Sequence, residues 1–259
     1  MVVSKFLGMK RVYKFLTLFL VGMLFFACNA EVKITVQAAS DGVVDLGVQL
    51  DPILVQYILD LQSAFTTVSP QEAEQLLDPS KTTELLEKSN TVKVVSIDST
   101  SKNKVAMKLA FKPLEQVLDE GNRLIEKDVQ QKIRKVMDLS VDKAGVKTAV
   151  FHLDKDNFNS LVKVLPPEIQ PLLALFSPPG YSVDKEEYLD VLKLNFIEYD
   201  AEHIGEQILK SKLKLDMSFG GQLISATGGK INGKNLKVEV PLMDLLLLDK
   251  PFEFQIKFK

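Results

Sequence analysis

The chain has no tryptophan, two histidines and a single cysteine among its 259 residues. One cysteine cannot form an intrachain disulfide, so an exported domain of this sequence relies on packing alone. The two histidines, His152 and His203, lie far apart in sequence. A metal centre wants three or four ligands, so neither His203, flanked by Glu202 and Glu206 on a helical pattern, nor His152, between Phe151 and Leu153 in a strand pattern, reads as a metal ligand. No H-E-x-x-H, G-x-S-x-G or phosphate-loop spacing occurs, and the chemistry of those motifs depends on their spacing. An excess of positive charge is missing too, with 32 basic against 34 acidic residues. That balance gives nucleic acid no concentrated basic face. The glycine pairs Gly220-Gly221 and Gly228-Gly229 stand between strand patterns rather than ahead of a helix, which makes them turns and not phosphate cradles. The acidic pairs Asp154/Asp156 and Glu186/Glu187 fall where helices begin and read as caps. These absences lead to the expectation of a protein that is not an enzyme and uses no metal or cofactor.

What is present concentrates at the N-terminus. Lys5, Lys10, Arg11 and Lys14 precede an apolar run from Phe15 to Ala27, and Cys28 follows before the chain turns polar at Asn29. A basic segment, a short apolar stretch and a small residue before the break are the signature of a secretory signal peptide. The run is too short to cross the roughly 30 Å of bilayer hydrocarbon, which needs about 20 apolar residues. Phe25-Phe26-Ala27-Cys28 resembles the lipobox of bacterial lipoproteins, in the relaxed form of spirochaetes. Ala27 fits the small position before the cysteine, whereas Phe25 and Phe26 depart from the usual Leu and small residue. The resemblance implies cleavage after Ala27, a diacylglycerol thioether on Cys28 and acylation of the new amino group. Met9-Lys10-Arg11 offers an alternative start with a signal of more usual length. The division expected is therefore residues 1–27 as signal peptide and 28–259 as a single envelope domain. Removing the four basic residues of the leader from the 32 leaves 28 against 34 acidic ones, a net charge near −6.

The remaining 232 residues are enough for a core that needs no disulfide. Val32 to Gln37 and Val43 to Leu50 alternate apolar with polar residues around the turn Ser40-Asp41-Gly42, so the domain opens with a hairpin. Asp51-Pro52 is a helix start, with Leu54, Ile58, Leu61 and Phe65 on one face. Thr91 to Asp98 and Lys104 to Lys112 read as strands, and so do Ile133 to Asp142 and Val146 to Leu153. A short helix is expected from Asp156, and one long helix from Asp184 to about Leu209, with Asp184 as its cap. Lys212 to Ser218 alternates again. In the final segment Phe252, Phe254, Ile256 and Phe258 alternate with polar residues, and exposing four such side chains would cost about 1.5–3 kcal/mol each. The terminal strand must therefore join a sheet. Strands at both ends with helices between them give the expected class: α+β, one domain, a curved antiparallel sheet packed against several helices, its first and last strands as neighbours.

The last quarter carries a second resemblance. Ser218-Phe219-Gly220-Gly221-Gln222-Leu223-Ile224, then Gly228-Gly229-Lys230-Ile231-Asn232-Gly233-Lys234-Asn235, then Leu236 to Leu242 is similar to the strand and glycine-turn order of LppM-like bacterial lipoproteins. Phe219-Gly220 stands where that family has Pro-Gly, and Val238 where an aromatic is expected. The opening hairpin suits the family as well, while residues 51–210 match none of it. The resemblance implies a curved sheet gripping helices in an envelope protein associated with lipid.

One internal segment invites a functional reading. Leu161 to Tyr181 is rich in large apolar side chains but broken by Pro166, Pro167, Pro171, Pro178 and Pro179, which rule out one continuous helix. It reads either as irregular cover for the sheet or as a lid over an apolar cavity, with Leu165, Leu172, Leu173 and Phe176 as the inward residues. The expected function is a lipid-anchored cell-envelope lipoprotein, attached to a membrane through its N-terminal lipid, that binds or presents a lipid or other apolar ligand. The alternative is a structural or assembly lipoprotein that docks onto another envelope protein. Asn29 is not the Asp that retains enteric lipoproteins in the inner membrane, which by analogy directs this chain to the outer membrane, on its periplasmic face or at the surface.

Overall fold

The computed structural model describes residues 29–65, 89–101, 103–117, 136–164, 179–181 and 183–259. Eleven strands and five helices are bounded within them. In chain order they are β1 (Asn29–Val36), β2 (Gly42–Gln49), α1 (Pro52–Phe65), β3 (Val92–Ser101), β4 (Lys104–Phe111), β5 (Met137–Val141), β6 (Lys147–Leu153), α2 (Lys155–Val164), α3 (Lys185–Asn195), α4 (Ala201–Lys210), β7 (Lys212–Phe219), β8 (Leu223–Thr227), β9 (Lys230–Asn232), β10 (Asn235–Pro241), α5 (Leu242–Leu247) and β11 (Phe252–Phe258). The class is α+β: open, largely antiparallel sheets packed against helices.

The strands form two sheets rather than one. A seven-stranded sheet has the order β3-β4-β2-β1-β7-β10-β9, and a four-stranded sheet the order β5-β6-β11-β8. The first and last strands are not neighbours. β1 sits between its hairpin partner β2 and β7, and its pairing with β7 is parallel. Register gives the large sheet two rims. At one, Asn29 lies opposite Gln49 and Lys212, Lys212 opposite Pro241, and Gln49 opposite Lys104. At the other, Val36 lies opposite Gly42 and Phe219, and Phe111 opposite Gly42 and Val92. The strand between the rims spans eight residues, about 23 Å at ~3.3 Å per step.

Alternation decides which face is dry. In β7, Leu213, Leu215, Met217 and Phe219 are buried, and in β10 Leu236, Val238 and Val240, while their neighbours face outward. The outer face is charged and cross-linked by exposed pairs: Lys33 with Glu31, Lys108 with Asp45, Lys237 with Asp216. Pairs of this kind add little each, about 0–1 kcal/mol. The inner face meets the helices and the second sheet in one continuous core that includes Leu54 and Tyr57 of α1, Phe158 of α2, Leu192 of α3, Ile204 of α4, five leucines and methionines of α5, and Phe254, Ile256 and Phe258 of β11. The terminal strand is thus central to the small sheet, paired on both sides. Phe254 stacks on Phe151 at 5.1 Å, and Phe258 meets Phe219 of the large sheet at 5.1 Å.

The long helix expected from Asp184 to Leu209 is two helices. Asp184 does cap α3, accepting from the Glu187 amide at 2.8 Å. The stripe then ends at Phe196, a fully buried side chain packed on Tyr57 with ring centroids 4.5 Å apart. Asp200 starts α4 by accepting from the His203 amide at 3.0 Å. An Asp placed to satisfy orphan amides favours a new N-terminus over continuation, and the break lets α3 and α4 fold back on each other. Asp154, rather than Asp156, caps α2 through the Asn157 amide at 2.8 Å. In the tail, Gly228 adopts φ +79 with a would-be Cβ 2.9 Å from Phe254 Cβ, so glycine is required there for both conformation and space.

Candidate functional site

Toward the rim away from Asn29 the buried side chains of the inner face fall into a second group among the described residues. Four buried side chains, Leu46, Val92, Met107 and Leu109, form a cluster of their own on β2, β3 and β4, apart from the main core. Beside them opens a cavity of about 750 Å³ whose walls include Ala39, Asp41, Val92, Lys93, Phe111 and Lys112. It is open to solvent on one side.

The walls are held by three local devices. The β1–β2 turn closes with Gln37 N donating to Asp41 O at 2.7 Å and Ser40 N to Gln37 O at 2.9 Å. Ser40 is fully buried in the left-handed region, φ 66, a conformation that costs a non-glycine residue on the order of 1–2 kcal/mol. It is retained because every polar group of Ser40 is engaged: its carbonyl accepts from Leu114 N at 2.9 Å and its hydroxyl from the Lys147 ammonium, which also pairs with Glu115 at 3.0 Å. On the opposite wall, Ser89 Oγ accepts from the Thr91 and Val92 amides, both at 3.1 Å. Thr91 O accepts from Lys112 N at 2.8 Å, joining this wall to the end of β4. Third, Gly42 lies under the Phe111 ring: a Cβ there would come within 1.9 Å of Thr35 O and 2.8 Å of the ring. The missing side chain gives the ring its place in the wall.

Asp41, a wall residue, has its Oδ1 buried without a hydrogen-bond partner among the described residues, and leaving a buried acceptor unpaired costs ~1–3 kcal/mol. Lys93 and Lys112 line the cavity together with the apolar Val92, Phe111, Ala110 and Pro113.

The two histidines are engaged elsewhere. His152 is buried between two carboxylates, its Nδ1 2.9 Å from Glu253 and its Nε2 2.9 Å from Asp154. Burial pushes the Asp154 carboxyl up, but the Asn157 amide, the His152 hydrogen bond and charge, and the Asp156 amide outweigh it and hold Asp154 below the usual carboxylate range. Asn157 also donates to His152 O at 3.1 Å. The cluster therefore ties the end of β6 to β11 and to the start of α2. His203 Nε2 lies 2.8 Å from Asp51, whose other oxygen caps α1 through the Ile53 amide. The hydrogen bond to Asp51 and its charge raise the His203 pKa. Among the described residues no group of three or more His, Cys, Asp and Glu is arranged to hold a metal ion.

Of the residues singled out in the sequence, Ala27 and Cys28 lie outside the described residues, and so do Leu165, Leu172, Leu173 and Phe176. The segment is entered from α2 and left at residues 179–181, where Tyr181 is exposed and Pro179 O accepts from Lys155 Nζ at 3.0 Å. The cavity at the far rim was not legible in the sequence. Ser40-Asp41-Gly42 reads as a turn, and nothing local says that the turn will face Ser89, Thr91 and Phe111.

The chain matches no protein-family model and no curated protein. Among solved structures it is similar to the NMR structure of the folded domain of LppM from Mycobacterium tuberculosis, at 10% identity over 90% of this chain and 91% of that one, with a TM-score of 0.37. LppM is the protein after which the resemblance in the glycine-turn tail is named. At that identity and score the likeness fixes neither the function nor the details of the chain path.

Proposed function

We propose that this chain is a lipid-anchored cell-envelope lipoprotein whose domain binds or presents an amphipathic or apolar ligand. The observation that carries the anchor is the junction itself: an apolar run ends at Ala27, Cys28 follows, and strand pairing begins at Asn29. The signal peptide, cleavage after Ala27, acylation of Cys28 by palmitate-type chains and an outer-membrane destination all belong to this reading. The ligand half is supported by the cavity at the far rim, with its apolar walls and the Asp41 oxygen that is unpaired among the described residues. On this reading the protein is not an enzyme.

Burying an acyl chain contributes about 0.8 kcal/mol per methylene, and two chains give stable attachment. Labelling cells with a palmitate analogue should mark the wild-type chain, and Cys28→Ser should lose the label and release residues 29–259 from the membrane fraction. A processed Ser variant that stays in the membrane would remove the lipid from the account. For the ligand, the protein purified from membranes should retain a fluorescent fatty acid, and Phe111→Lys should weaken retention without altering acylation. If wild-type protein never retains the probe, the rival reading of an assembly lipoprotein that docks onto another envelope protein takes its place.

A further inference from the structure

We propose that the Asn29 rim of the seven-stranded sheet lies against the lipid headgroups, so that the cavity at the opposite rim opens away from the membrane that holds the anchor. The inference rests on acylation of Cys28 and adds to it a defined orientation of the domain. It follows from the length of chain between anchor and fold. Asn29 is already in register with Gln49 on one side and Lys212 on the other, and it is joined to Cys28 by a single peptide step of about 3.8 Å. A lipoprotein with a long flexible tether tumbles above its membrane. Here a diacylated residue and the edge of a rigid sheet are covalent neighbours, and the strand they share cannot turn without breaking both ladders. Whatever surrounds Asn29 must then meet the headgroups.

The surroundings suit that contact. Register and chain connectivity bring the exposed Lys104, Lys210 and Lys212 to this rim with Gln49 and Pro241, and Leu209, 52% exposed, stands next to Lys210. Lys104 forms no ion pair among the described residues. Lys210 pairs with Glu206 at 2.7 Å and Lys212 approaches Glu239 at 3.8 Å, both on the exposed surface. Exposed lysines along the rim and an exposed apolar side chain beside one of them fit an anionic lipid surface, where each Lys near the headgroups adds attraction that salt screens. The turn at Gln37–Asp41 and the cavity lie a whole strand away, about 23 Å from the rim at ~3.3 Å per residue. Ligand would then enter from the aqueous side or from a facing membrane, not by sliding up from the anchor's own leaflet.

The single cysteine makes the test direct, because acylation consumes its thiol. Full-length protein is purified from membranes and reconstituted in phosphatidylethanolamine and phosphatidylglycerol vesicles. A second cysteine, introduced as Lys104→Cys or Lys210→Cys at one rim and Gln37→Cys or Asn232→Cys at the other, is labelled with a bimane dye and titrated with a quencher confined to the lipid phase. The two probes at the Asn29 rim should be quenched several-fold more than the two at the far rim. Equal quenching at both rims, or stronger quenching at the far rim, overturns the orientation. Wild-type protein is the control for the underlying reading. If it takes up dye at Cys28, the anchor itself is refuted. If it takes up none and the rims are still quenched alike, the anchor stands and the orientation alone falls, as it would if a partner protein rather than lipid covered the rim.

Discussion

The two halves of the large sheet present the same alternation to the same face, but among the described residues their buried side chains fall into different clusters. Around β1, β7 and β10, side chains such as Leu236 and Val238 are sealed by α5, α3 and the second sheet into one core. Around β2, β3 and β4, four side chains form a separate cluster beside an open cavity. The first half holds the fold. The second borders the cavity at the far rim. A sheet can therefore be continuous in hydrogen bonds while its buried side chains, among the described residues, fall into two clusters.

Substitutions in the two halves sharpen this contrast. Phe254→Ala removes a 6% exposed ring stacked on Phe151 and should cost ~3–5 kcal/mol, read as a large fall in melting temperature and loss of near-ultraviolet circular dichroism. Unchanged melting would mean that the terminal strand is dispensable. Met107→Ala, in the smaller cluster, should cost about 2 kcal/mol, near the lower end for such deletions, because the flexible methionine leaves a site that can close more readily than one emptied of a stacked ring. A cost equal to that of Phe254→Ala would merge the two cores into one. Gly42→Ala drives a methyl toward Thr35 O and the Phe111 ring. Overpacking of this kind costs ~1–3 kcal/mol, and it should weaken probe retention more than stability, since the ring it displaces is a cavity wall.

The smallest expected effect lies on the other side of the molecule and depends on pH. The Asp51 hydrogen bond raises the His203 pKa, so the protonated form is favoured in the folded state. The stability it contributes is fully present below the unfolded value of about 6.5 and is lost as pH rises through the higher folded value. His203→Gln should flatten that part of the melting profile while leaving the cavity untouched. Because the histidine is only half-buried, the change should be small and should shrink with added salt. A profile identical in both proteins would show that the pair contributes nothing to stability.

Much of the local structure was legible in the chain. The alternation at Leu213 to Phe219 and Phe252 to Phe258 marked strands with one dry face, because successive side chains of a pleated strand point to opposite sides whatever their partner. Asp184 before Glu187 marked a helix start, and Gly228 and Gly233 marked turns, both now seen at positive φ. These are properties of a few adjacent residues. The split at Phe196–Asp200 is not legible in the apolar stripe, which continues through it; in the structure Phe196 packs on Tyr57, 139 positions earlier, and Asp200 caps a new helix.

What tertiary structure alone decided is which distant pieces meet. Period-two alternation does not choose a partner, so the sequence was compatible with one curved sheet having its terminal strands side by side, whereas the register pairs β1 with β7 in parallel and seats β11 between β6 and β8. His152 gave no sign that Glu253, 101 residues away, would hold one of its nitrogens. The cavity too is made by segments remote in sequence, the turn at Asp41 and the chain at Ser89–Lys93 and Ala110–Pro113. Alternation, caps and turns are set by short-range sterics and hydrogen bonding and can be read from neighbours. Sheet partners, buried ion clusters and cavities arise where long-range packing is satisfied or left incomplete, and that is settled only when the whole chain folds.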